Sequence, residues 1–235
     1  MPTCRFAVPM LLAAAALGQE PLQRFENRNG TFHIGLPAGW RQVAPNEARR
    51  IGELANAPEP LRLAQPQSFY AVGPVDRWLA GDFTGPWLYV VEQQAEWYVA
   101  DDFVAQLTTM WADRGTATGE RHELSGIRKE LVGEQQVEVV VATRTTTRTD
   151  GRPPYRCLDV YSPAGSSQVT LSFSCAPDRF ATLEPEFRRW LATLTFARVR
   201  KGQTSLSDRL WTPILTGGAV GLVMLLLWRH TRSRR

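Results

Sequence analysis

Apolar and polar positions alternate in several stretches of the chain and recur at helical spacing in others. Thr31-Phe-His-Ile-Gly-Leu36 alternates and predicts a first strand, turned by Pro37-Ala-Gly-Trp40 into a short return over Arg41–Val43. Ala48, Ile51 and Ala55 keep helical spacing within 45–56, with Pro45 at the start where it is tolerated. Residues 57–67, with three prolines, read as a loop, and so do 73–86. Short strands are expected at 69–72 and 87–93. A helix follows Asp101 and Asp102, with Phe103, Leu107, Met110 and Trp111 on one face and Gly115 at its end. That stripe reads as core packing, and the two aspartates as capping residues.

Strands are then expected over 124–132, 136–147, 155–161 and 168–175, with Val137, Val139 and Val141 facing the core. Asp150-Gly151 predicts a hairpin and residues 162–167 a turn. A last helix starts near Asp178 or Thr182 and runs to about Thr193, burying Phe180, Leu183, Phe187, Trp190, Leu191 and Leu194. Pro185 falls in its first turns. Thr195–Arg198 closes as a short strand.

The two chain ends are different in kind. Met1–Gly18 has Arg5, an apolar run from Phe6 to Leu17 and small residues at 16–18, the pattern of a secretory signal, either cleaved or kept as an anchor. Residues 200–210 form a polar linker. Trp211–Trp228 then presents 18 residues without charge. As a helix this run is about 27 Å long, close to the hydrocarbon thickness of a bilayer. The tail 229–235 holds four arginines, which marks the cytoplasmic side. The expectation is a single-pass protein of the cytoplasmic membrane, with residues 19–199 outside and the C-terminus inside. The lipid bilayer is then its first partner. Gly217 and Gly221 stand one turn apart in the expected span and suit a helix–helix contact, either a homodimer or a second membrane subunit.

The charge balance supports this topology and no nucleic-acid partner. The two ends carry five of the 27 basic residues and none of the 23 acidic ones, so the middle of the chain is at about −1. The formal +4 is therefore a topology signal.

Candidate chemistry is sparse. His33 and His122 are the histidines of the exported region, one in an expected strand and one near a turn. No nucleophile elbow, phosphate-cradling glycine loop or zinc motif occurs, so no cofactor and no catalytic set are expected. Arg144, Arg148, Arg152 and Arg156 surround the expected hairpin tip. They could bind an anion or an acidic partner, or simply solvate a strand edge. Cys157 and Cys175 could form a disulfide outside the cytoplasm. Strand parity opposes this: Cys175 should share a face with Leu158, Val160, Val169, Leu171 and Phe173, and Cys157 should point the other way.

The motif Phe32-His-Ile-Gly-Leu-Pro-Ala-Gly-Trp40, the strand around Leu171-Ser-Phe-Ser174, the helix through Phe187 and the ending Leu191–Phe196 resemble the PsbP-like family over roughly residues 25–198. The resemblance implies an α+β fold, an α/β/α sandwich with a mainly antiparallel sheet. Its members are mainly binding or assembly modules, among them extrinsic photosystem subunits and bacterial envelope proteins. The C-terminal apolar run departs from the soluble photosystem subunits. The resulting expectation is a membrane-tethered binding or assembly module outside the cytoplasm, without catalytic activity. The alternatives are an envelope sensor of a small anion and, after it, an enzyme whose site is assembled from distant residues.

Overall fold

Strand parity sets the architecture. The computed structural model describes residues 21–58, 61, 69–93, 102–148, 151–164 and 167–198. Strands β1 (Leu22–Glu26) and β2 (Phe32–Pro37) pair antiparallel, and so do β2 and the late strand at Thr195–Phe196, giving a small three-stranded sheet. A seven-stranded sheet contains β3 (Arg41–Gln42), β4 (Phe69–Gly73), β5 (Trp87–Gln93), β6 (Glu120–Val132), β7 (Val137–Arg148), β8 (Tyr155–Ala164) and β9 (Ser167–Cys175). Its order is β3-β4-β5-β9-β8-β7-β6, antiparallel throughout. The strand at Thr195–Phe196 is β10. The helices are α1 (Pro45–Glu53), α2 (Val75–Leu79), α3 (Phe103–Thr118) and α4 (Phe180–Ala192).

On one face of the large sheet, Val137, Val139 and Val141 of β7 join Leu158 and Val160 of β8 and Leu171 and Phe173 of β9. Helix α4 covers them with Phe180, Phe187, Trp190 and Leu191, and the small sheet adds Phe32, Ile34, Leu36 and Phe196. Burying each such large side chain contributes about 1.5–3 kcal/mol before chain entropy is counted. The opposite face carries two separate clusters. Helices α1 and α2 pack on Ala71, Trp87 and Cys157 through Ile51, Val75 and Trp78. Helix α3 packs on Val140, Ala142 and Tyr161 through Phe103, Leu107 and Trp111. Helices therefore lie on both faces of a mainly antiparallel sheet, as the resemblance to the PsbP-like family implies.

Several local expectations are corrected. Strand β1 lies ahead of the expected first strand. Its Leu22 and Phe25 are only half-buried, and pairing with β2 rather than an apolar pattern makes it a strand. The expected loop at 73–86 contains α2, pinned by buried Val75 and Trp78. A Cβ on Gly73 would overlap the Trp78 ring, so the glycine is what admits the indole. Gly115 does not end α3. The helix runs to Thr118 and stops at Gly119, which has φ +69°. Gly115 is instead a contact: a Cβ there would stand 2.5 Å from the Glu120 carbonyl oxygen, where β6 begins. Met110 is 46% exposed and not core, because the spacing 103, 107, 111 already defines the buried face. Strand β8 runs on to Ala164 through the expected turn at 162–167.

The expected signal at 1–18, linker at 200–210, span at 211–228 with Gly217 and Gly221, and tail at 229–235 lie outside the described residues. Among the described residues, no helix is long and apolar enough to cross a membrane.

Candidate functional site

The arginines expected to gather at one hairpin tip are separated by strand parity. Arg144 and Arg148 have the parity of Val140 and Ala142 and face α3. Arg156 has the parity of Leu158 and faces α4, its guanidinium carbon 4.6 Å from the Phe180 ring centroid. Arg152 lies between β7 and β8, outside either strand. The four do not make a common anion cradle.

Arg144 is buried and already engaged. Its Nε donates to Asp159 Oδ2 at 2.6 Å and its Nη2 to Asp159 Oδ1 at 3.2 Å. Nη1 donates to Thr146 Oγ1 at 2.6 Å, and the guanidinium carbon stacks 3.9 Å from the Trp111 ring centroid. The two charged side chains are 5% and 0% exposed. Burial opposes the charge on Arg144, but the Asp159 carboxylate outweighs it and raises the pKa well above the usual value. Arg148 Nη1 donates to Glu120 Oε1 at 2.9 Å. Burial pushes the Glu120 carboxyl upward, but contacts with His122 and Arg148 prevail and lower it to about 2.

Trp111 organises this corner. Its indole N–H donates to Tyr161 Oη at 2.8 Å, one ring face receives Arg144, and His122 meets it edge-on at 4.7 Å. The His122 Nδ1 lies 3.0 Å from Thr146 Oγ1. Its Nε2 lies 3.4 Å from Glu120 Oε2, without hydrogen-bond alignment. His33 is in the other sheet, half-buried beside Arg24.

Between this corner and the α1–α2 cluster, a cleft of about 130 Å³ opens on the sheet. Tyr89 of β5, Tyr155 and Tyr161 of β8 and Thr170 and Ser172 of β9 line its floor. Met110, Trp111 and Arg114 form the α3 wall, and Arg144 and Glu120 also reach it. Burial pushes the phenols of Tyr89 and Tyr155 up to about 12, and that of Tyr161 well above its usual value. Burial likewise pushes the nearby Cys157 thiol up to about 12. These groups stay protonated at neutral pH, so they suit hydrogen bonding and ring packing better than proton abstraction.

Cys157 and Cys175 are both buried and free. Cys157 pairs with Ser174 in the β8–β9 register and Cys175 with Arg156, which puts the thiols on opposite sheet faces. A disulfide needs Cβ atoms about 3.5–4.5 Å apart, so the candidate bridge is not made. Asp102 occupies the position before α3, but its carboxylate accepts from Gln106 Nε2 at 2.6 Å rather than capping a backbone amide. Asp101 is outside the described residues.

Two other polar features stand apart from the cleft. Glu92 accepts hydrogen bonds from Asn27, from Asn29 at 2.6 Å and from Tyr70 at 3.2 Å, tying the β1–β2 hairpin to the large sheet. An open groove of about 740 Å³ passes Trp40 and Trp190, whose rings meet edge-to-face at 5.0 Å. Among the described residues, no group of His, Cys, Asp or Glu is placed to hold a metal ion.

Sequence reasoning singled out Arg144 and Trp111 but not the partners that define the site: Asp159, Tyr161, Glu120 and Arg114. Asp159 did leave a signal. A carboxylate inside the apolar run Leu158–Tyr161 must be paired if that strand is buried on both faces.

No protein-family model and no curated protein sequence matches the chain. Solved structures do. The chain is similar to the solution structure of cyanobacterial PsbP (CyanoP) from Synechocystis, with TM-score 0.52 and 14% identity, over 79% of this chain and 98% of that one. A Pseudomonas aeruginosa protein of unknown function, titled a putative regulator, matches at TM-score 0.39 and 8% identity, over 76% and 99%. At such identities the likeness concerns the fold, and the fold of this chain is PsbP-like.

Proposed function

We propose that this protein is a binding module held on the outer side of the cytoplasmic membrane by residues 211–228, and that the cleft beside α3 is its ligand site. The observation that carries the reading is the preformed wall. Trp111 is fixed by Tyr161 on its N–H and by Arg144 on its face, and Arg144 is itself locked by Asp159. Such a wall loses little conformational freedom when a ligand arrives, which favours affinity. The protonated phenols of the floor favour binding over proton transfer. The uncharged run at 211–228 and the arginine-rich tail support the tether and its orientation.

The test uses the full-length protein purified from its native membranes in mild detergent, beside Thr170→Trp, which fills the cleft floor. Small molecules are extracted from both and compared by mass spectrometry. A compound carried by the wild type and absent from the variant supports the cleft. A stoichiometric protein partner retained by both forms, with no differential small molecule, would replace this reading with an assembly role. Recovery of the wild type in the soluble fraction, without membranes, would remove the tether.

A further inference from the structure

The charges around the cleft identify a class of ligand, an inference that rests on the cleft being the binding site. Glu120, which lines the cleft, and Asp159, which lies behind Arg144, are both compensated. Asp159 is held by two guanidinium hydrogen bonds from Arg144, and Glu120 by Arg148 at 2.9 Å with His122 beside it. The exception is a cation. Arg114 is exposed on the α3 wall with its guanidinium carbon 5.3 Å from the Trp111 ring centroid, and no carboxylate of the described residues pairs with it. Among the described residues, the cleft mouth therefore offers one positive charge without a counterion.

Size and surface narrow the choice. A cavity of about 150 Å³ accepts benzene, so the 130 Å³ here suits one ring. Tyr89, Trp111, Tyr155 and Tyr161 supply aromatic walls, and Thr170 and Ser172 supply hydroxyls on the floor. Aromatic walls can also hold quaternary ammonium groups. Here Trp111 already carries Arg144 at 3.9 Å, with Arg114 nearby, so a further cation meets repulsion. We infer that the cleft takes a small molecule made of one aromatic ring bearing a carboxylate, the ring seated against Trp111 and the tyrosines and the carboxylate on Arg114.

The probes are benzoate, its neutral isostere benzamide, acetate and choline, titrated into the full-length protein in mild detergent by calorimetry and saturation-transfer NMR. Benzoate is expected to bind roughly tenfold tighter than benzamide, because it gains a charge-assisted hydrogen bond. Acetate and choline are expected to give no saturable binding. Arg114→Gln, an exposed change that leaves the core intact, should weaken benzoate roughly tenfold and leave benzamide unchanged. Thr170→Trp should abolish binding of both ring compounds. Equal affinity for benzoate and benzamide, no effect of Arg114→Gln, or preference for choline overturns the carboxylate class. If Thr170→Trp still abolishes that binding, the cleft itself survives as the site. Ring-compound binding that persists in Thr170→Trp, or no binding by any ring compound, overturns both the class and the cleft.

Discussion

Replacing Asp159 by Asn would leave the Arg144 guanidinium buried without a counterion. The site has no means of relieving this. The two side chains are 5% and 0% exposed, so water does not reach the pair to any useful extent, and an arginine does not release its proton. Both Asp159 oxygens accept from Arg144, and the amide that replaces the carboxylate would turn an N–H₂ group toward one guanidinium nitrogen. Removing one partner of a buried ion pair costs about 3–5 kcal/mol. At about 2–4 °C per kcal/mol for a domain of this size, Asp159→Asn should lower Tm by about 6–20 °C. The double change Arg144→Met with Asp159→Leu removes both charges and keeps apolar bulk, and should recover most of that loss. Differential scanning calorimetry of the full-length chain in detergent, with urea unfolding as a check on reversibility, reads both variants. A loss below about 1 kcal/mol for Asp159→Asn, or a double variant no more stable than the single one, would refute the claim that this pair is a desolvated unit.

Three other outcomes are expected. Gly115→Ala should destabilise by about 1–3 kcal/mol in urea unfolding, because the new Cβ stands 2.5 Å from the Glu120 carbonyl oxygen and that overlap outweighs a helix-propensity gain of about 1 kcal/mol; a stabilised variant would show that β6 simply moves away. The Glu120 carboxyl is at about 2 in the folded chain against an ordinary 4.5, so its contribution is present above pH 4.5 and lost as pH falls toward 2; Glu120→Gln should flatten that part of a Tm-against-pH curve, and an unchanged acid limb would remove Glu120 as its source. Cys157, with its thiol pushed up to about 12 by burial, and Cys175, pushed by burial up to about 11, should resist iodoacetamide at pH 8 in the native chain and react once guanidinium unfolds it, as read by mass spectrometry; rapid native alkylation would contradict their burial.

The sequence by itself determined what depends on short-range periodicity. Alternation in Val137–Val141 and Val169–Phe173 assigned the strands and the face they bury, and strand parity alone put Cys157 and Cys175 on opposite faces. The spacing of Phe180, Phe187, Trp190 and Leu191 likewise assigned the face of α4. The tertiary structure decided what depends on distant pairs. Strand β1 exists through its pairing with β2, α2 through the seat that Gly73 leaves for Trp78, and Gly115 is a packing contact because β6 returns over α3. The arginines near the hairpin are close in sequence, but a strand sends alternate residues to opposite faces, and so Arg144 met Asp159 and Trp111 while Arg156 met Phe180. The cleft draws its lining from β5, β8, β9 and α3, elements separated by up to about 80 residues of chain, and such a convergence leaves no local periodic signature.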